Sequence, residues 1–110
     1  MKQKDALAAL AALSQDTRLA AFRFLVTVGP GGAPAGDIAD ALKVAPPTLS
    51  FHLKELEQAQ LVTSQRQSRS IIYSANYAAM RALLSFLMED CCGGRPEICS
   101  LTTKQKECTP

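Results

Sequence analysis

A chain of 110 residues suits one small domain, and a core that thin favours association into a dimer. With 47% hydrophobic and 20% charged residues the composition is that of an ordinary soluble chain. The net charge of +2 neither demands nor excludes nucleic acid, because a local basic patch is enough to engage phosphates. Met1–Leu13 lacks the charged–apolar–small pattern of a leader, and no apolar run is long enough to span a bilayer, so a cytoplasmic protein with no membrane partner is expected. Thiols stay reduced in that compartment, which disfavours a disulfide framework and favours metal binding or redox chemistry.

In chain order, Lys4–Leu13 is rich in strong helix formers, with Leu7, Leu10 and Leu13 at helical spacing. Ser14 is expected to cap a second helix with Asp16 in its first turn and Leu19, Phe22 and Val26 as its apolar stripe. Gly29-Pro30-Gly31-Gly32 ends it. Pro34 is expected to open a short third helix, Ala35–Leu42, with Ile38 and Leu42 facing inward. After the connection Lys43-Val44-Ala45, Pro46-Pro47 starts a fourth helix running to about Gln58, with Leu49, Leu53 and Leu56 buried. The period then changes: Thr63–Gln67 and Ser70–Ser74 read as two strands, with Gln67–Arg69 as the hairpin tip. Asn76 caps a last helix from Tyr77 to about Asp90, whose stripe of Tyr77, Met80, Leu84, Leu87 and Cys91, with Leu83 and Met88 adjacent, is wide enough to serve a second subunit as well as its own. Gly93-Gly94 and Pro96 stop that helix.

Two helices joined by a tight turn and followed by a hairpin make a winged helix-turn-helix, in which the second helix of the pair enters the major groove. The expected fold is therefore mainly α (α+β), about five helices with a two-stranded β-hairpin wing, homodimeric. Subtracting the apolar stripe from the fourth helix leaves Pro47, Thr48, Ser50, Phe51 and Lys54 on its outer face, with His52 beside them. Hydroxyls and an imidazole near the start of such a helix suit base edges and phosphates, and a helix N-terminus offers free N–H groups and a positive dipole. Arg66 and Arg69 flank the wing tip, where a cation would meet the DNA backbone or a minor groove. The bland reading of the same face is a solvated polar surface, and only the pattern as a whole outweighs it.

The run from Ala45 to Val62, the arginine-bearing hairpin, Ile71-Ile72-Tyr73-Ser74, and Leu13-Ser-Gln-Asp-Thr-Arg-Leu near the start resemble the arsenic-repressor (ArsR/SmtB) family of bacterial metalloregulators, over residues 5–92. The resemblance implies a homodimer joined through its first and last helices, operator DNA as partner, and repression relieved by an inducer. Phe51 stands where that family commonly has a basic or polar residue, and Ser68 holds a wing-tip position often occupied by Gly.

All four cysteines lie in the last twenty residues: Cys91, Cys92, Cys99 and Cys108. The helix before the recognition helix lacks the Cys-x-Cys pair of some arsenic repressors. The last helix lacks the His ligands of the family's zinc and nickel sensors; the single histidine is His52. Neighbours on a regular helix diverge by about 100°, so Cys91 and Cys92 chelate together only at a fraying end, where Gly93-Gly94 lets the chain reverse and bring Cys99 back over the pair. Three thiolates from one side match the pyramid of trivalent arsenic or antimony, and the pattern also resembles the C-terminal arsenite site of some divergent ArsR repressors. Methylated arsenicals, with fewer free valences, are a further candidate inducer. Zinc would want four ligands, and a vicinal pair spaces them poorly. A redox switch or another soft metal on the same thiols remains the alternative; against redox, the helix C-terminus and the carboxylates of Glu89 and Asp90 disfavour the reactive thiolate, with Arg95 partly offsetting them. No His, phosphate-cradling loop or Cys-x-x-Cys lies near Cys91, so no enzyme is expected. The expected organisation is a DNA-binding and dimerisation domain over 1–92 and a tail, 93–110, completing the thiol site.

Overall fold

A computed structural model describes residues 1–88. Five helices and three short strands follow one another as α1 (Gln3–Leu13), α2 (Asp16–Val28), β1 (Ala33–Pro34), α3 (Ala35–Leu42), α4 (Pro46–Gln58), β2 (Val62–Gln67), β3 (Ser70–Ala75) and α5 (Tyr77–Leu87). This is the expected winged helix-turn-helix. The last helix ends at Leu87 with Met88 as its C-cap, short of the expected Asp90; the tail and Cys91, Cys92, Cys99 and Cys108 lie outside the described residues.

The first two helices differ from the expectation in which side faces inward. α1 buries Ala6, Ala9 and Ala12, while Leu7 is 59% exposed and Leu10 is also exposed. Alanine has no side chain beyond Cβ, so this face lets α1 lie close against the body, and the leucines are left outside. In α2 the buried residues are Ala21, Phe22 and Leu25; Leu19 is exposed and Val26 only half-buried, so the stripe predicted through Leu19 and Val26 is rotated. Gln15, not Ser14, caps α2. Gln15 has the extended backbone an N-cap needs (φ −125°, ψ 136°), and its Oε1 accepts from the Arg18 N–H at 2.9 Å. Ser14 (φ −86°, ψ 22°) closes α1 instead, its hydroxyl donating to the Ala11 carbonyl at 2.8 Å.

Pro34 opens α3 as expected, standing at its N-cap in extended conformation, and it also belongs to β1. That strand pairs antiparallel with β3, Ala33 opposite Tyr73 and Pro34 opposite Ile72, and makes the expected two-stranded wing a sheet of order β1-β3-β2. An edge strand of two residues tolerates a proline that has no N–H to donate. Gly32, at φ +73°, brings the chain in so tightly that a Cβ there would run into the Tyr73 carbonyl oxygen.

α4 is the centre of the fold. Leu49, Leu53 and Leu56 are fully buried and meet Leu25, Ile38, Leu61 and Val62, the other large side chains sealed from solvent. The helix ends in a Schellman motif: Gln60, at φ +66°, donates to the Glu57 carbonyl at 2.9 Å, and Leu61 donates to that of Leu56 at 3.0 Å. Asn76 fastens the far end of the hairpin to this turn. Its backbone N–H reaches the Leu61 carbonyl (2.8 Å), its Nδ2 donates to the Gln60 carbonyl (2.9 Å), and its Oδ1 accepts from the Ala79 N–H (3.1 Å), capping α5 as expected. The Tyr77 hydroxyl then ties α5 to α2 by donating to the Val26 carbonyl at 3.0 Å.

Candidate nucleic-acid interface

Because α4 buries its leucines on one side, most of the residues on its other side are turned outward. Pro47, Thr48, Ser50, Phe51 and Lys54 are all exposed, and Phe51, at 58% exposure, is a large apolar ring on an otherwise polar face. An exposed ring there suits the methyl of a thymine or the face of a sugar. Pro46 and Pro47 occupy the first two helical positions. Proline carries no N–H, so the expected row of free amides in this first turn shrinks to that of Thr48, with the Thr48 and Ser50 hydroxyls as the other exposed polar groups beside it.

The hairpin extends this surface. Of β2 only Val62 is buried; Thr63 through Gln67 are exposed, so the strand leaves the body as a wing. Gln67 pairs with Ser70, which leaves Ser68 and Arg69 as the turn, and Arg66 faces Ile71 across the ladder. Ser68 adopts φ +59°, the left-handed region that suits glycine, so the serine stands where the backbone demands what glycine would supply more readily. Arg66 and Arg69 are exposed. The base of the wing is fixed to α4 by the Ser64 hydroxyl, which donates to Glu57 Oε2 at 2.7 Å. The exposed faces of α4 and the wing are thus linked directly by a side-chain hydrogen bond.

His52 differs from its neighbours. It is half-buried, its ring meets that of Phe51 edge to face with centroids 5.3 Å apart, and its Nδ1 lies 3.1 Å from an Arg18 guanidinium nitrogen. Arg18 also donates through Nε to the Ala12 carbonyl at 2.7 Å. Arg18, like Ser64 and Glu57, has no role assigned to it by the sequence pattern. The partner of Arg18 is 34 positions away, beyond any helical or strand periodicity, and α2 carries a second arginine, Arg23, so charge alone does not single it out. Behind the interface, burial and then the Glu57 carboxylate push the Tyr73 phenol above its usual pKa.

A family model described as a helix-turn-helix domain matches residues 13–65. The chain is 30% identical over 77 residues to the transcriptional repressor SdpR of Bacillus subtilis (strain 168), across 70% of this chain and 82% of SdpR. Its fold matches an ArsR-like transcriptional regulator from Rhodococcus sp. RHA1 with a TM-score of 0.72 at 24% identity, covering 89% of this chain and 90% of that one. The chain belongs to the ArsR family of winged-helix transcriptional regulators. A second solved relative, the homodimeric winged helix-turn-helix DNA-binding domain of Mb0332 from Mycobacterium bovis, a possible ArsR-family regulator, matches with a TM-score of 0.63 at 22% identity over 79% of this chain and 81% of that one. In this winged helix-turn-helix fold α4 holds the position of the second helix of the pair and the β2–β3 hairpin that of the wing. Among the described residues no group of three or more His, Cys, Asp or Glu is placed to hold a metal ion, and no helix is long and apolar enough to cross a membrane.

Proposed function

We propose that this ArsR-family chain is a homodimeric transcriptional repressor, not an enzyme. It grips operator DNA with α4 and the wing and is released when trivalent arsenic or antimony binds Cys91, Cys92 and Cys99. The observation that carries the DNA half is the outward display of Pro47, Thr48, Ser50, Phe51 and Lys54 on a helix whose other side is fully buried, with Arg66 and Arg69 on the attached wing. Thr48, Ser50 and Lys54 would meet phosphates and base edges in a major groove, and the two arginines the backbone alongside.

The dimer half rests on the leucines outside the body. Leu7 and Leu10 on α1 and Leu84 and Leu87 on α5 are exposed, on two helices that pack against each other. Apolar side chains gathered on the terminal helices of so small a domain call for a partner surface. The naming of Mb0332 as a homodimer agrees with a second copy as that partner.

The inducer half rests on sequence chemistry. Every thiol lies beyond Asp90, a vicinal pair sits beside Gly93-Gly94, and Cys91 follows the last residue of α5 by four positions. A metalloid captured there acts at the end of a helix whose leucines serve the dimer. A coupling of about 1–3 kcal/mol per site, typical of allosteric effectors, is enough for useful derepression.

The test is fluorescence anisotropy of a labelled promoter fragment on reduced protein at fixed salt, titrated with arsenite, for wild type and Cys99→Ser. Release of wild type with retention of the variant supports the three-thiol switch. Binding that ignores arsenite in both leaves the repressor and gives the thiols to another soft metal or to oxidation; no binding to any fragment refutes the repressor itself.

A further inference from the structure

Arg18 and His52 meet where α1, α2 and α4 come together. Neither the helix-turn-helix pattern nor the thiol chemistry requires that contact. A guanidinium has N–H groups and no acceptor, so in the 3.1 Å contact Arg18 is the donor and His52 Nδ1 the acceptor. A neutral imidazole accepting at Nδ1 carries its proton on Nε2. Among the described residues Nε2 has no hydrogen-bond partner, and no fully buried side-chain nitrogen or oxygen there is unpaired, so Nε2 keeps some exposure to solvent. The second bond of Arg18, from Nε to the Ala12 carbonyl at 2.7 Å, holds the guanidinium at the end of α1, so it cannot turn with the ring. Phe51 restrains the ring from the side, its centroid 5.3 Å away.

We propose that Arg18 is a positioning residue for DNA recognition. Anchored on the Ala12 carbonyl, it locks His52 in the Nε2–H tautomer, so that the recognition face presents a fixed N–H donor to an acceptor on DNA, a phosphate oxygen or a purine N7. The inference rests on α4 being the DNA-reading helix. It goes beyond that reading by assigning a role to a residue of α2 that need not touch DNA. Without Arg18 the ring divides between two tautomers and two flips, and only one of those four states keeps the Nε2–H donor in place. The same arrangement joins the end of α1, a helix that carries exposed leucines, to a single side chain on the recognition helix.

Two measurements on the full reduced chain test this. The chain has one histidine, so its ring nitrogen spectrum needs no assignment against others. At about pH 8, where an ordinary imidazole is neutral, nitrogen-15 NMR of wild type is expected to show the Nε2–H form, and Arg18→Met a mixture of tautomers. A dominant Nδ1–H form in wild type overturns the proposal without any variant having to fold, and so does an unchanged tautomer in Arg18→Met. The second measurement is a double-mutant cycle on a duplex selected from a random-sequence pool by the wild-type chain. Arg18→Met is expected to weaken binding about tenfold when His52 is present, the scale of one oriented hydrogen bond to a charged acceptor. In a His52→Ala background it is expected to weaken binding less than about twofold, because no ring is left to orient. Equal losses in both backgrounds would mean that Arg18 touches DNA itself or merely supports the fold, and the positioning role fails while the DNA reading stands. Failure of the pool to yield any preferred duplex refutes the DNA reading, and the proposal falls with it.

Discussion

α4 and α1 are both amphipathic helices with leucine on a regular spacing, yet they use it in opposite ways. In α4 the leucines Leu49, Leu53 and Leu56 are fully buried and the polar residues face out. In α1 Ala6, Ala9 and Ala12 are buried and Leu7 and Leu10 face out, with Leu13 half-buried against the core. The first helix is complete within one chain; the second, together with Leu84 and Leu87 of α5, is complete only against another surface. The domain thus separates a part whose apolar side chains are closed within one copy and which displays the polar face of α4 from a part that leaves leucines uncovered.

That contrast is broken most severely at Leu53. Leu53→Ala removes a fully buried side chain from the centre of the core and is expected to cost about 2–5 kcal/mol of folding stability, read from the urea midpoint. The loss should be the same at low and high protein concentration if it belongs to the single chain. Leu7→Ala, at a residue 59% exposed, should leave the folding of one chain nearly unchanged and instead weaken self-association, measured by sedimentation equilibrium. If Leu7→Ala destabilised the isolated chain as much as Leu53→Ala, the division between a finished and an unfinished helix would be wrong.

Asn76→Ala sharpens the comparison at the junction between the two parts. Its side chain caps α5 at Ala79 and holds the Gln60 carbonyl at the end of α4, two bonds that vanish together. A lost cap and a carbonyl left unpaired amount to about 1–2 kcal/mol, and thermal melting with circular dichroism would show it. The α4 face should remain intact, because Leu49, Leu53 and Leu56 are untouched; a variant that folds but loses all DNA affinity would contradict this.

The same contrast explains what was legible in the sequence. α4 was readable throughout because leucines at helical spacing coincide with a double proline at its start, and the hairpin because Ile71, Ile72 and Tyr73 follow a polar turn. The inward side of α1 was not, since Ala6, Ala9 and Ala12 give a weaker periodic signal than the leucines beside them, and burial there is decided by how closely helices approach. β1 was hidden because two residues hold no period and Pro34 argues for a helix start as well as for a sheet edge. At the interface, the outer residues of α4 followed from subtraction, whereas Arg18 is tied to His52 by folding alone. Cys91, Cys92 and Cys99 rest on the chemistry of their spacing, outside the described residues.

The smallest expected effect lies at Tyr73, on β3, where the wing joins the finished part of the domain. Its ring is buried, and its phenol is pushed above the usual range first by burial and then by the Glu57 carboxylate on α4. Both oppose the phenolate, so the folded chain holds this proton more tightly than the unfolded chain does. The stability this contributes is complete below the unfolded value of about 10 and is lost as pH rises from there through the higher folded value. Tyr73→Phe removes the titrating group while keeping the ring in the core. At neutral pH it is expected to change the urea midpoint little, but from about pH 10 upward its stability should fall less steeply than that of wild type. The other titrating groups are common to both chains and cancel in the difference. Equal slopes in the two chains would show that the phenol is not held between the core and Glu57, and that the wing meets α4 less closely than the Ser64–Glu57 bond implies.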